Sequence, residues 1–389
     1  MNQEEIPEDI PEIKPESVWT NEDAPDEELR AREIAGKGSY ERIQRELENS
    51  GLLGAQVARV AEKYRDIFSS MQEVNRSDLE MFTVLELYDE GTANHCIETF
   101  RIAREKVEKR LVSGEVLGKL FEAEYVSLDE FFRACLLHDI GKVEVPRFVI
   151  QHPMNDHEMD MYLRDLVVEH DPETVKRLEA DGGVIPAVAT VEELEAYLHE
   201  NHLRSVHFVP ARLVLSEEQV EELEARGFDP DSSLMDIIKT HESRSHDILA
   251  SAGMMVESEL AGLHHNYQGA GSRYPIALSA LHISVDIAEL LHIADVQQAL
   301  SATRSYKKGL SRPRVLRIIM EEVARGRISE EAAYLWVEDD LMTNGAHADG
   351  VASISDAEDI RVVRTQLEHI RSRLEDSGEL GHGRNRMAA

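Results

Sequence analysis

"FFRACLLHDIGK", residues 131–142, is an apolar run that ends in a histidine and an aspartate side by side, followed at once by Gly141 and Lys142. Ser127 stands as a candidate N-cap with Glu130 three residues on, the spacing of a capping box. Gly141 and Pro146 stop the pattern. The stretch therefore predicts a buried helix with His138 and Asp139 at its C-terminal end. Alone, such a pair fits a satisfied core hydrogen bond as well as it fits chemistry, since an unpaired buried carboxylate is costly. Partners elsewhere in the chain decide between the two.

The 389 residues suffice for one large or two ordinary domains, and 42% apolar residues allow a substantial core. Only 5% are aromatic, while Ala, Leu, Glu and Arg are plentiful, which favours a mostly all-α fold. The net charge of −34, from 76 acidic against 42 basic residues, argues against nucleic acid or an anionic membrane as a partner. It leaves room for a local basic pocket that takes a phosphate. Cys96 and Cys135 lie in apolar helical contexts, and the start MNQEEIPEDIPEIK lacks the basic and apolar stretches of a secretory signal. Reduced thiols and a cytoplasmic location follow as expectations. No run approaches the roughly 18 apolar residues of a membrane span.

Residues 1–30 hold eleven acidic residues, two basic ones and four of the twelve prolines, the composition of a disordered tail. Helical patterning runs from Asp26 to Met71, interrupted at Gly51 and Gly54, and a second pattern follows from Ser77 after the break at Asn75-Arg76, so that 31–84 reads as an N-terminal helical segment. An amphipathic helix is predicted over 94–112 from Ile97, Phe100, Ile102, Val107 and Leu111. Residues 151–214 differ: "GGVIPAV", "TVEELEAYLHENH" and "SVHFVPARLVL" read as strand, helix and strand, a small α/β insertion. Its six histidines read as surface or packing residues, because only His199 and His202 share a close spacing. Helices resume at Ser216, with Gly227 as a stop, and run on to about residue 340. Beyond it come a polar linker, a helix over 357–376 and a loose end.

Five places in the helical part offer imidazole or carboxylate: His95; His138 with Asp139; His241; His264 with His265; and Asp295. Such ligands without thiolate suit Fe, Mn or Zn in a catalytic centre rather than a structural cysteine site. In a chain with 17 histidines the count decides nothing. The contexts do: H-D-I-G-K, a histidine pair before a Gly-rich loop, and A-D-V followed by Arg and Lys.

In these contexts the chain resembles the HD superfamily of metal-dependent phosphohydrolases and, within it, the HD-GYP phosphodiesterases. The likeness covers roughly residues 85–150 and 215–325, through "DEGTANH", "HDIGKVEVP", "THESRSHDIL", "HHNYQGAGSRYP" and "ADVQQALSATRSYKKGLS". It implies an HD helical bundle over 85–340, interrupted by the insertion. It also implies two divalent metal ions, one on His95, His138, Asp139 and Asp295, the other on Asp139, His241, His264 and His265. Asp139 would bridge them. Two cations about 3.5 to 4 Å apart clamp a phosphoryl group and generate a bridging hydroxide for in-line attack. By the same resemblance Lys142 is a catalytic and phosphate contact, and Arg304 and Lys307 bind substrate phosphate.

The pattern also departs from the family. The H-H-E-x-x-D-G-x-G-Y-P signature is here H-H-N-Y-Q-G-A-G-S-R-Y-P, one residue longer and without both acids. Gly91 stands where some members carry a glutamate for a third metal. The reading is thus a phosphodiesterase acting on a phosphorylated small molecule, a nucleotide or cyclic dinucleotide, with cyclic di-GMP one candidate. Its alternatives are a hydrolase of another phosphate ester, or a non-catalytic HD-fold signalling scaffold that binds a protein partner through the insertion or the acidic tail.

Overall fold

The structure, a computed structural model, describes residues 24–113, 121–122, 126–152, 159–162, 208–265, 285–302, 309–326, 328–345 and 354–377. Among these residues the fold is all-α. The N-terminal part comprises α1 (Ala24–Ala35), α2 (Tyr40–Asn49), α3 (Leu53–Lys63), α4 (Arg65–Phe68) and α5 (Arg76–Tyr88). Then come α6 (Glu90–Ser113), α7 (Leu128–Leu137), a 3-10 turn (Ile140–Glu144) and α8 (Arg147–Ile150). The second half holds α9 (Glu217–Ala225), α10 (Leu234–Lys239), α11 (His241–Ser251), α12 (Met255–Leu263) and α13 (Val285–Ser301). Three further helices, α14 (Arg312–Ala324), α15 (Glu330–Gly345) and α16 (Ile354–Ser377), close the fold.

Helix α5 is apolar on nearly every side: Met81, Phe82, Val84, Leu85 and Leu87 are all buried. A helix of that kind belongs inside a domain, and α5 packs between α1 and α3 on one side and α6 and the 3-10 turn on the other. Its start is fixed by a capping box in which Asn75 and Asp78 satisfy each other's backbone N–H. Ser127 and Glu130 do the same for α7, as the sequence predicts, and α7 buries Phe131, Phe132, Cys135, Leu136 and Leu137. The N-terminal helices share one continuous core with α6, α7 and α11–α16. Cys96 and Cys135 are buried free thiols in it. Helices α14–α16 pack outside α13, with Trp336 fully buried beneath them. A second, smaller cluster around Val149, Val209, Leu223, Phe228 and Ile237 joins α8, α9 and α10.

One apolar stretch hides a charge. Glu86 on α5 is completely buried, and Arg59 Nη2 (2.6 Å) and Lys63 Nζ (2.9 Å) from α3 and Arg32 Nη2 (3.2 Å) from α1 converge on its carboxylate. Burial raises the Glu86 pKa, but the bonds to Arg59 and Lys63 outweigh it and hold the group below its ordinary value. Its stabilisation is therefore present above the usual glutamate pKa and lost as pH falls through the lower folded value. Glu86→Gln should cost about 3 kcal/mol in urea unfolding at pH 7, the lower end for a broken buried pair because the three cations keep some access to water. That deficit should shrink below pH 4; a deficit that persists in acid would remove the charge argument.

Three expectations need correction. Helix α1 begins at Ala24, two residues ahead of the patterning read from Asp26 and inside the 1–30 stretch read as a tail, and Arg32 on its last turn is anchored by Glu86. Gly54 does not interrupt α3: it sits in the first turn, whereas Gly51, with φ +73°, makes the break. The segment "SVHFVPARLVL" is not a strand where it is described. Ala211–Leu213 is a 3-10 turn, and the β structure there is an isolated bridge from Pro210 to Ser233. Pro210 has no N–H to donate to a ladder, and Ala211 N and Arg212 N instead bond Ser232 O and Pro230 O. The other two elements of the expected α/β insertion, at 182–188 and 190–202, lie outside the described residues.

Candidate metal centre

Three helices end in the same way. His138 is the C-cap of α7, His241 follows the end of α10, and His264 is the C-cap of α12. In each, ring Nδ1 lies on the carbonyl three residues back: Cys135 O at 2.9 Å, Ile238 O at 2.6 Å and Ala261 O at 2.5 Å. The last carbonyls of a helix lack intrahelical donors, so the imidazole N–H satisfies one. The proton is thereby placed on Nδ1, and Nε2 is left as a lone pair facing away from the helix. The three lone pairs converge: His241 Nε2 and His264 Nε2 are 3.3 Å apart, and the His138 and His264 ring centroids 4.9 Å.

Asp139 leaves α7 with φ −98° and ψ 8° and enters the cluster with a buried carboxylate. Its two oxygens serve different neighbours. Oδ1 lies 3.1 Å from His241 Nε2, whereas Oδ2 lies 3.6 Å from both His95 Nε2 and His138 Nε2 and 2.6 Å from Lys142 Nζ. Asp295 on α13 also faces two ways. Its Oδ1 is 2.8 Å from His95 Nε2 and 3.8 Å from His138 Nε2, and its Oδ2 is 3.8 Å from His265 Nδ1. All seven ligand candidates of the sequence reading thus meet where α6, α7, α11, α12 and α13 converge. Arg304 and Lys307 lie outside the described residues.

The charge states follow from burial and neighbours. Burial pushes His138 and His264 down, so these imidazoles are neutral at neutral pH. Burial would also raise Asp139 and Asp295, yet Lys142 and the histidines around Asp139, and His95 beside Asp295, hold both carboxyls well below their ordinary range. His95 is raised: burial opposes its charge, but the Asp295 bond outweighs that. Lys142 is raised by Asp139 against its own burial.

The donor set fits a divalent metal. His138 Nε2 is buried without a hydrogen-bond partner, and its nearest carboxylate oxygens, at 3.6 and 3.8 Å, are too far for a hydrogen bond. Donors that each sit about 2.0–2.2 Å from one cation are spaced roughly 3.0–3.5 Å from each other, close to the separations seen. Two triads, His95–His138–Asp139 and His241–His264–His265, each bring one donor atom per residue within 4.8 Å of the others.

Sequence reasoning missed three polar neighbours. His292 Nδ1 bonds His264 O at 2.6 Å, and Gln298 Oε1 lies 2.5 Å from His95 Nδ1. They stand three residues before and three after Asp295, on the same helical face, a spacing visible in the sequence. Glu242 follows His241, and burial pushes its carboxyl up to about 7.

Residues 92–239 match the HD domain, a family whose members are typically metal-dependent hydrolases. The match takes in His95, His138, Asp139 and Lys142 and ends two residues before His241. No curated protein matches the chain, and no solved structure does.

Proposed function

We propose that this chain is a metal-dependent phosphodiesterase acting on a nucleotide or cyclic dinucleotide. His95, His138, Asp139 and Asp295 would hold one divalent ion, and Asp139, His241, His264 and His265 a second. The observation that carries the reading is the division of Asp139, with Oδ2 towards His95 and His138 and Oδ1 towards His241. Bound there, a pair of divalent ions would lower the pKa of a shared water and stabilise charge on a phosphoryl group.

The chain's own groups prepare that chemistry. The helix-end carbonyls hold the Nδ1 proton on His138, His241 and His264, so that Nε2 is available without a tautomer change. Two ionised carboxylates and one lysine leave the protein side of the site at −1, and two divalent ions would take it to about +3. A chain of net charge −34 thereby gains a local attraction for an anionic substrate. Lys142, fixed by Asp139 at 2.6 Å, orients that carboxylate and stands ready for a non-bridging phosphate oxygen. Arg304 and Lys307 are proposed as further phosphate contacts. The loop after His265 lacks both acids of the HD-GYP signature, which favours a phosphodiester other than cyclic di-GMP as an alternative substrate.

Protein loaded with Mn, Fe or Mg should hydrolyse at least one of cyclic di-GMP, its linear dinucleotide, nucleoside triphosphates and a chromogenic phosphodiester. Metal-loaded protein inert towards all of them would leave the scaffold reading. Lys142→Met should lower kcat about 100-fold, the scale for removing one charge-stabilising donor, while two metal equivalents are retained; a change in KM alone would reassign Lys142 to ground-state binding.

A further inference from the structure

Among the four imidazoles whose Nε2 faces the cluster, His95 is the odd one. It lies in the second turn of α6 rather than at a helix end, and the carbonyl three residues back belongs to the helix ladder. The local device that orients His138, His241 and His264 is therefore not open to it. Its Nδ1 instead meets Gln298 Oε1 at 2.5 Å, from a residue 203 positions away. The same helix, α13, thus grips both ring nitrogens: Asp295 Oδ1 at Nε2 (2.8 Å) and Gln298 one turn further on at Nδ1.

We infer that Gln298 is a positioning residue of the metal centre, whose amide oxygen keeps the proton on His95 Nδ1 and so presents Nε2 to the ion. The inference rests on the metal-binding reading above. An amide can face the ring in two ways. With Oε1 inward it accepts from Nδ1–H, and the Nε2 proton can be displaced by a metal. With Nε2H2 inward it would donate to Nδ1 and force the proton onto Nε2, where Asp295 would hold it against the incoming ion. The first orientation gives His95 the tautomer that the carbonyls impose on the other three. An amide also supplies this acceptor without adding a third negative charge beside Asp139 and Asp295. The adjacent Gln297 serves the core instead, where it is buried and its Oε1 accepts from Trp336 Nε1 at 2.8 Å.

Outer partners of ligating histidines typically change metal affinity 10- to 100-fold. Gln298→Leu should weaken one of the two Mn equivalents by about that factor, measured by metal analysis after dialysis at stepped Mn concentrations. The other equivalent should be unchanged, and Gln298→Glu, which keeps an acceptor, should stay within a few-fold of the parent. Gln297→Leu should lower the Tm and leave both affinities alone. In metal-free protein labelled with 15N histidine, the His95 Nδ1–H correlation should be present in the parent and in Gln298→Glu and absent in Gln298→Leu. Parent-like affinity at both sites in Gln298→Leu would overturn the inference, as would loss of both equivalents in Gln298→Leu and Gln298→Glu alike. A parent protein that takes up no metal would instead defeat the proposed function, and the Nδ1–H signal would still decide whether Gln298 sets the tautomer.

Discussion

Asp139→Ala is expected to abolish binding of both metal ions and lower turnover by more than 100-fold while the far-UV circular dichroism stays helical. The carboxylate reaches both triads, through Oδ1 to His241 at 3.1 Å and through Oδ2 to His95 and His138, and it approaches the second triad more closely than Asp295, whose Oδ2 lies 3.8 Å from His265. Removing an outer partner of a ligand costs 10- to 100-fold, so removing a ligand shared by two ions should cost more. Fold retention follows from where the stability lies: α7 is held by its capping box and six buried apolar side chains, not by the charge at its end. The clearest measurement is linkage. A metal that binds only the folded state stabilises it by about 2.7 kcal/mol at 100 times Kd. The parent should show that gain in denaturant unfolding on metal addition, and Asp139→Ala should show none. A variant that retains two metal equivalents would remove the site assignment.

How much of this was legible in the sequence depends on how local each signal is. The end of α7, its cap and the position of His138 and Asp139 follow from a dozen contiguous residues, and the structure places them as read. The three histidines after helices are also local, since each needs only a helix end and the carbonyl three residues back. Gln298 is different: nothing near His95 announces a partner 203 residues on, and only the packing of α6 against α13 joins them.

The setting of Glu86 and the conformation of residues 208–215 share a physical cause, a local pattern overridden by distant contacts. Glu86 sits in "MFTVLELY" as an ordinary polar residue of a helix, but three cations on two other helices make burial tolerable. Residues 208–215 look like a strand by apolar content, but Ala211 N and Arg212 N bond Ser232 O and Pro230 O in the turn before α10, Leu213, Val214 and Leu215 bond back to Pro210 and Ala211, and Pro210 cannot join a ladder. The family match stops short of most of the site: it takes in His95, His138 and Asp139, three of the seven ligand candidates, and ends before those brought in by α11, α12 and α13.

Gly141→Ala should be a strongly disruptive single-methyl change. A Cβ at that position would lie 2.1 Å from His241 O, 2.4 Å from Ser245 N and 2.8 Å from Ser245 Oγ. Two of the three are backbone atoms of α11, which cannot rotate aside as a side chain could. The requirement for glycine is spatial: the 3-10 turn runs against the first turn of α11, and Gly141 N donates to Ser245 Oγ at 2.8 Å. Overpacking a core costs typically 1–3 kcal/mol, and an obstacle made of helix backbone belongs at about 3 kcal/mol or above. The consequence reaches the site, because the helix that must move begins with His241, whose Nε2 stands 3.1 Å from Asp139 Oδ1. Gly141→Ala should therefore lose the metal equivalent of the His241–His264–His265 triad as well as stability. Ser245→Ala, which removes only the hydrogen bond, should cost about 1 kcal/mol and keep both metals. Urea unfolding and metal analysis of the two variants separate these outcomes; equal stability with full metal content in both would show that α11 is not pinned by the absence of a side chain at Gly141.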